Sequence, residues 1–106
     1  MSDQEIEKAI QAKDANVAPR VTPADIEANI VQVEVVRYVT QGGKVLRWAV
    51  LTTKNGYAVT GRPSACVSPE NDNAEDGERI AIENAKNELW PLMGYELQSK
   101  LAGGAA

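Results

Sequence analysis

The sequence contains no histidine and no phenylalanine, and its one cysteine is Cys66. The absence of histidine removes the usual general base and the commonest metal ligand, so we predict a non-enzyme without metal or cofactor. A single cysteine excludes an intramolecular disulfide, which is typical of a reducing cytoplasm. No histidine is present to activate the Cys66 thiol, and we interpret Cys66 as a small, partly buried core residue.

A net positive charge and long apolar runs are also absent. The net charge of the 106 residues is -4, which argues against a duplex nucleic acid or an anionic membrane as partner. No apolar run approaches the roughly 18 residues of a membrane span, and the first residues do not resemble a signal peptide. We therefore expect a cytoplasmic protein with an arm and linker over residues 1–21, one domain over 22–101 and a flexible tail over 102–106.

The strongest local pattern is Asn55-Gly56 between two apolar, β-branched runs. Such a dipeptide predicts a β-hairpin with a two-residue type I′ turn, because both central residues then need a positive φ. That turn places Thr52 opposite Val59. Side chains alternate along a strand, so one face of the hairpin is predicted to carry Trp48, Val50, Thr52, Tyr57 and Val59.

The rest of the pattern predicts one strand before the hairpin and helices on either side of the sheet. The strand covers residues 31–40, with a bulge or bend where the alternation slips at Val35 and Val36. Short helices are predicted over residues 2–13 and from Pro23, and a long helix over residues 74–89 that ends or kinks at Trp90-Pro91. The predicted fold class is α+β: a three-stranded antiparallel β-meander packed by one long C-terminal helix, with short N-terminal helices.

Two polar loops follow the hairpin and are expected to lie beside the start of the long helix. An arginine, hydroxyl groups and helix-start N–H groups in such a place are suited to an anion, for example a nucleotide phosphate. The alternative is that these residues only cap and turn the chain, which we favour. The candidate ligand contacts in these loops are Arg62, Ser64, Ser68 and Asn71.

One further stretch nearly fits a calcium-binding loop. Asp72, Asp76, Gly77 and Glu83 have the required spacing, but Ala74 occupies a ligand position. No predicted helix precedes the stretch, and Gly77 and Glu83 fall inside a predicted helix. We interpret this segment as a capped helix start and not as a metal site.

Aromatic residues are the candidate contacts with a protein partner. Trp90 begins an apolar cluster with Pro91, Leu92 and Met93, which is typical either of a core or of a subunit contact. A chain this small often completes its core with a second copy, so we favour a homo-oligomer. Exposed aromatic side chains are the natural anchors for a partner, and the candidates are Trp48, Tyr57 and Trp90.

Several segments resemble a known family. They are LTTKNGYAVTG at residues 51–61, SACVSPEN at 64–71, ELWPLMGY at 88–95 and VTPADI at 21–26. Together they are similar to the gene-product-49/66 family of small tailed-phage proteins, over roughly residues 21–101. The resemblance implies a phage or prophage accessory protein that acts in the cytoplasm of an infected bacterium. It implies no catalytic residues and no particular activity.

Two hypotheses for function follow. The first is a non-catalytic interaction protein that binds and inhibits a host bacterial protein, as part of host takeover or counter-defence. The second is a small-molecule binder that sequesters a nucleotide-type immune signal at the loops of residues 61–71. An enzyme is the least favoured class, because the sequence has no histidine and no catalytic motif.

Overall fold

The computed structural model describes residues 19–66 and 68–103 and has the predicted α+β class. The first predicted helix, over residues 2–13, lies outside the described residues. In chain order, the elements are α1 (Pro23–Asn29), β1 (Ile30–Val39), β2 (Val45–Thr53), β3 (Ala58–Thr60), β4 (Ser64–Cys66), a 3-10 turn (Pro69–Asn71), α2 (Ala74–Asn87) and α3 (Leu89–Leu101).

Helix α1 begins where the sequence predicts. The Thr22 hydroxyl accepts a hydrogen bond from the Asp25 N–H at 3.1 Å, and the Asp25 carboxylate accepts one from the Thr22 N–H at 2.9 Å. Pro23 follows the cap, where its missing N–H costs nothing. Ile26 is buried and joins α1 to the core.

The sheet is antiparallel and has β2 at its centre. Strand β1 pairs with one edge of β2 along almost its whole length, while β3 and β4 share the other edge. The predicted bulge at Val35 and Val36 is wrong, because the register shift lies between Ile30 and Gln32. Val35 packs against the core and Val36 lies on the opposite face. Two successive apolar residues, one on each face of a regular strand, give the same sequence pattern as a bulge that interrupts the alternation.

The hairpin is present, but its predicted turn and register are wrong. Gly56 has a φ of +89°, and no non-glycine residue in the described part of the chain has a positive φ. The Gly56 N–H bonds the Thr53 carbonyl, and the Thr53 N–H bonds the Tyr57 carbonyl, so the loop has three residues. The extra loop residue shifts β3 by one position. Val59 therefore lies opposite Leu51, on the face opposite to the one predicted.

Helix α2 covers one face of the sheet, which we call the covered face. The core is built there from α1, β2, β3, α2 and the start of α3, with the buried residues Ile26, Ala49, Leu51, Val59, Ala81, Ala85 and Leu89. Gly61 lies against the backbone of α2, where a Cβ would come within 2.3 Å of the Asn84 carbonyl carbon. The small residues of this interface therefore bring the helix close to the sheet.

The predicted break near Trp90-Pro91 is confirmed. Helix α2 ends at Asn87 and α3 begins at Leu89, with Glu88 as the only residue between them. Pro91 lies in the first turn of α3, where its nitrogen would have no helical partner in any case. The proline therefore starts a new helix in a new direction.

Candidate functional site

The second face of the sheet, which we call the open face, is an apolar surface that no described element covers. Burial alternates along β2: the residues on the covered face are buried, whereas Leu46, Trp48 and Val50 on the other face are only half-buried. A central strand with a pairing partner on each side stays half-exposed only where nothing packs over that face. Within residues 19–66 and 68–103, the open face is thus accessible to solvent.

The neighbours of Trp48 extend this apolar surface onto β1. Val36 lies directly opposite Trp48 and is 37% exposed, and Tyr38 lies opposite Leu46 and is 52% exposed. On the other side, β3 and β4 add only small side chains. Glu34, opposite Val50, is the one charged residue that the described strands place on this face. The open face is defined by Gln32, Glu34, Val36, Tyr38, Leu46, Trp48, Val50, Thr52, Ala58, Thr60 and Ala65.

The covered face contains a buried ion pair that the sequence analysis missed. Arg47 and Asp72 are joined by two hydrogen bonds of 2.6 and 2.7 Å. The hydrogen bond from the guanidinium lowers the pKa of Asp72, and the carboxylate in turn raises the pKa of Arg47. A Cβ on Gly77 would lie 2.9 Å from the guanidinium, so the glycine makes room for it. One indication of this ion pair was present in the sequence, because Arg47 occupies a position in the strand alternation that is otherwise held by buried residues.

The loops considered as a candidate anion site bond several of their polar groups internally, as the favoured capping interpretation expects. The Ser64 hydroxyl donates to the Gly77 carbonyl at 2.8 Å, and the Ser68 hydroxyl donates to the Glu70 carboxylate. That hydrogen bond lowers the pKa of Glu70. Asn71 is exposed, and its N–H bonds the Ser68 carbonyl, while the exposed Arg62 accepts a bond from Asn84 at its own carbonyl. These hydroxyl groups hold the loops in place.

The start of α2 is capped by the chain itself. The Asn73 side chain accepts a hydrogen bond from the Asp76 N–H at 3.0 Å, and the Gly77 N–H bonds the Asn73 carbonyl. Glu75 and Asp76 add two acids to the first turn, where the helix dipole favours negative charge. This arrangement is the capped helix start that the sequence indicated, and the added acids disfavour a further anion there.

The three candidate aromatic residues do not form one surface. Trp48 lies on the open face, but Tyr57 faces α3 beside Leu92 and Met93 and is 59% exposed. Trp90 is half-buried and packs against the core. Of the three, Trp48 is the one that lies on the open face of the sheet.

A groove of about 420 Å³ lies between α1, the hairpin turn and α3. Its charged lining residues have both signs: Arg20, Lys54 and Lys100 are basic, and Asp25 and Glu96 are acidic. Specific ligand sites combine an apolar cavity with a few polar groups that converge on the ligand. The mixed charges of this groove select no ligand class.

The comparisons with known proteins agree with the phage resemblance. No described helix has the length and apolar character that a bilayer crossing requires. No curated protein and no solved structure matches the chain. One family model matches residues 21–101, which include every strand and helix described above. The chain therefore belongs to the Phage protein (N4 Gp49/phage Sf6 gene 66) family.

Proposed function

We propose that this chain is a non-catalytic phage accessory protein that binds and inhibits a host protein in the bacterial cytoplasm. The observation that carries the proposal is the open face, with Trp48 at its centre and Val36, Tyr38 and Val50 around it. Soluble proteins rarely expose a large contiguous apolar patch unless it serves an interaction. Membership of a phage family supplies the context of an infected cell.

The composition of the open face indicates the kind of partner that it fits. Tryptophan and tyrosine are enriched among the residues that dominate binding energy, and Trp48 and Tyr38 lie on this surface. Glu34 is the one charge that the described strands add, and the whole chain has a net charge of -4. We therefore expect a host protein that presents an apolar patch with basic residues around it.

The nucleotide-binding hypothesis has less structural support. The Ser64 and Ser68 hydroxyls bond other groups of the chain, and the start of α2 is already capped. The exposed side chain of Arg62 is the remaining feature in its favour. It serves as the competing outcome in the experiment below.

The test is an affinity purification of the tagged full chain from phage-infected host cells, with matched variants. Trp48→Ala removes the anchor of the open face, whereas Tyr57→Ala removes an exposed aromatic residue from elsewhere on the molecule. We expect one dominant host protein to be retained by the wild type and by Tyr57→Ala and to be lost with Trp48→Ala. The purified partner should show the same pattern in a binding titration and should lose its activity when the wild type is bound.

Two results would overturn the proposal. One is equal capture of that partner by Trp48→Ala, with circular dichroism confirming that this variant is folded. The other is a thermal shift with adenine or cyclic nucleotides that Arg62→Ala abolishes, without a dominant protein partner. The second result would instead establish the nucleotide-binding function.

A further inference from the structure

The outer edge of β1 is a long template for another strand. Strand β1 has ten residues and pairs only with β2 among the described residues. Exposed edges are usually protected by proline, lysine, a bulge or short length. Strand β1 contains neither proline nor lysine, and its ladder with β2 is regular from Gln32 to Val39. The edge is therefore competent to pair with a further strand.

The direction of the backbone groups follows from the ladder with β2. The Thr40 N–H bonds the Lys44 carbonyl at 2.9 Å at the end of this ladder. Hydrogen-bonded and non-bonded positions alternate in an antiparallel pair, so the even-numbered residues from Gln32 to Tyr38 bond β2. The N–H and C=O groups of Val33, Val35, Arg37 and Val39 then point outward, at the free edge.

We propose that this edge pairs with the same edge of a second copy, in an antiparallel dimer centred on Val36. A two-fold axis perpendicular to the sheet keeps each side chain on its own face. In the register centred on Val36, all four outward-pointing residues find a partner: Val33 lies opposite Val39 of the second copy, and Val35 lies opposite its Arg37. This pairing forms about eight backbone hydrogen bonds, two for each opposed pair.

Side chains favour the same register. Val33 and Val39 are each 45% exposed, and the dimer brings them together twice. If the pairing is centred on Arg37 instead, Arg37 lies opposite Arg37 of the second copy, which is repulsive. If the pairing is centred on Val35, the outward N–H and C=O groups of Val39 lie opposite residue 31, at the register shift, and outside the regular part of the strand. The register centred on Val36 avoids both the repulsion between the Arg37 residues and the unpaired backbone groups of Val39.

The position of α2 leaves room for the second copy. Helix α2 packs mainly on β2, one strand away from the β1 edge. Strands are about 4.8 Å apart, so the two α2 helices of the dimer would be separated by about 14 Å, more than the 8–10 Å of helices in contact. The two open faces become one continuous face with a Trp48 on each side of the axis. This inference goes beyond host binding and does not depend on it.

The first measurement is the mass of the full purified chain in solution, by light scattering and sedimentation, without any host protein. We expect a dimer at micromolar concentration. Val33→Pro removes an outward-pointing N–H at an exposed position and leaves the ladder with β2 intact, so it should give a monomer with unchanged circular dichroism. A monomeric wild type, or a Val33→Pro variant that is still dimeric, would overturn the proposal.

A pair of double variants tests the register itself. Val33 and Val39 are about 20 Å apart within one strand, so charges at these positions meet only between copies. The combination of Val33→Lys with Val39→Glu should remain dimeric, whereas Val33→Glu with Val39→Glu should dissociate at least about tenfold more readily, because two opposed pairs become repulsive. Equal dissociation of the two double variants would refute this register. None of these results bears on capture of the host protein.

Discussion

Gly61 is the position at which the close approach of helix and sheet can be tested most sharply. A Cβ there would lie 2.3 Å from the Asn84 carbonyl carbon and 2.4 Å from both the Asn84 oxygen and the Ala85 nitrogen. Ordinary contacts between heavy atoms are about 3.5–4.0 Å, so Gly61→Ala must move α2 by roughly 1 Å. Both groups are backbone, which leaves no flexible side chain to give way.

The expected cost follows from that displacement. Overpacking of a tight core costs about 1–3 kcal/mol, and here the whole helix must shift away from Leu51 and Ala49. We therefore expect Gly61→Ala to lower the free energy of unfolding by about 2–3 kcal/mol, which is roughly 10–20 °C in Tm for a domain of this size. Thermal and denaturant unfolding followed by circular dichroism measures both quantities.

Gly94→Ala is the matched control, because it makes the same chemical change in the middle of α3. A Cβ at Gly94 meets no heavy atom within 4 Å, so the substitution should gain helix propensity without a clash. We expect it to raise the stability by about 0.5–1 kcal/mol. If Gly61→Ala were as stable as the wild type, the close packing of α2 on the sheet would be refuted.

Two further predictions concern the ion pair and the core. The pKa of Asp72 is lowered in the folded state, so its stabilising effect is present above its ordinary value of 3.8 and is lost as the pH falls through the folded pKa. The Tm difference between wild type and Asp72→Asn should thus be constant from neutral pH down to about pH 5 and should shrink below about pH 4; a difference independent of pH would contradict this. Leu89→Ala should cost about 2–5 kcal/mol because Leu89 is fully buried, whereas Leu92→Ala, at an exposed position of the same helix, should cost less than about 1 kcal/mol. If both substitutions lowered the free energy of denaturant unfolding by similar amounts, the burial of Leu89 and the exposure of Leu92 on α3 would be contradicted.

Local signals predicted the elements that local chemistry determines. Thr22 and Pro23 specify the start of α1, and Pro91 specifies the break before α3, because capping and the missing N–H act within one turn. Asn55-Gly56 predicted a hairpin correctly but not its register. The same dipeptide suits a two-residue and a three-residue loop, and the choice between them decides which face Val59 occupies.

Features that depend on distant parts of the chain were not predictable in this way. Both faces of β2 carry apolar residues, so the pattern alone does not say which face α2 covers. Arg47 and Asp72 are 25 positions apart in sequence, and only the fold shows that they pair. Among the candidate contacts, the serines of the two loops suggested an anion site, but serine is equally favoured where a side chain caps a helix or stabilises a turn.

The claim on which the proposed function depends is that one face of the sheet is covered and the other is open. Val50 and Leu51 are neighbours in β2 and point to opposite faces; Val50 is half-buried and Leu51 is fully buried. Thermal unfolding of Val50→Lys and Leu51→Lys tests the claim most directly. We expect Val50→Lys to unfold cooperatively within about 1 kcal/mol of the wild type and Leu51→Lys to lose the cooperative transition, because an unpaired charge is buried. Equal damage from both substitutions would show that the open face is covered in solution and would contradict the account.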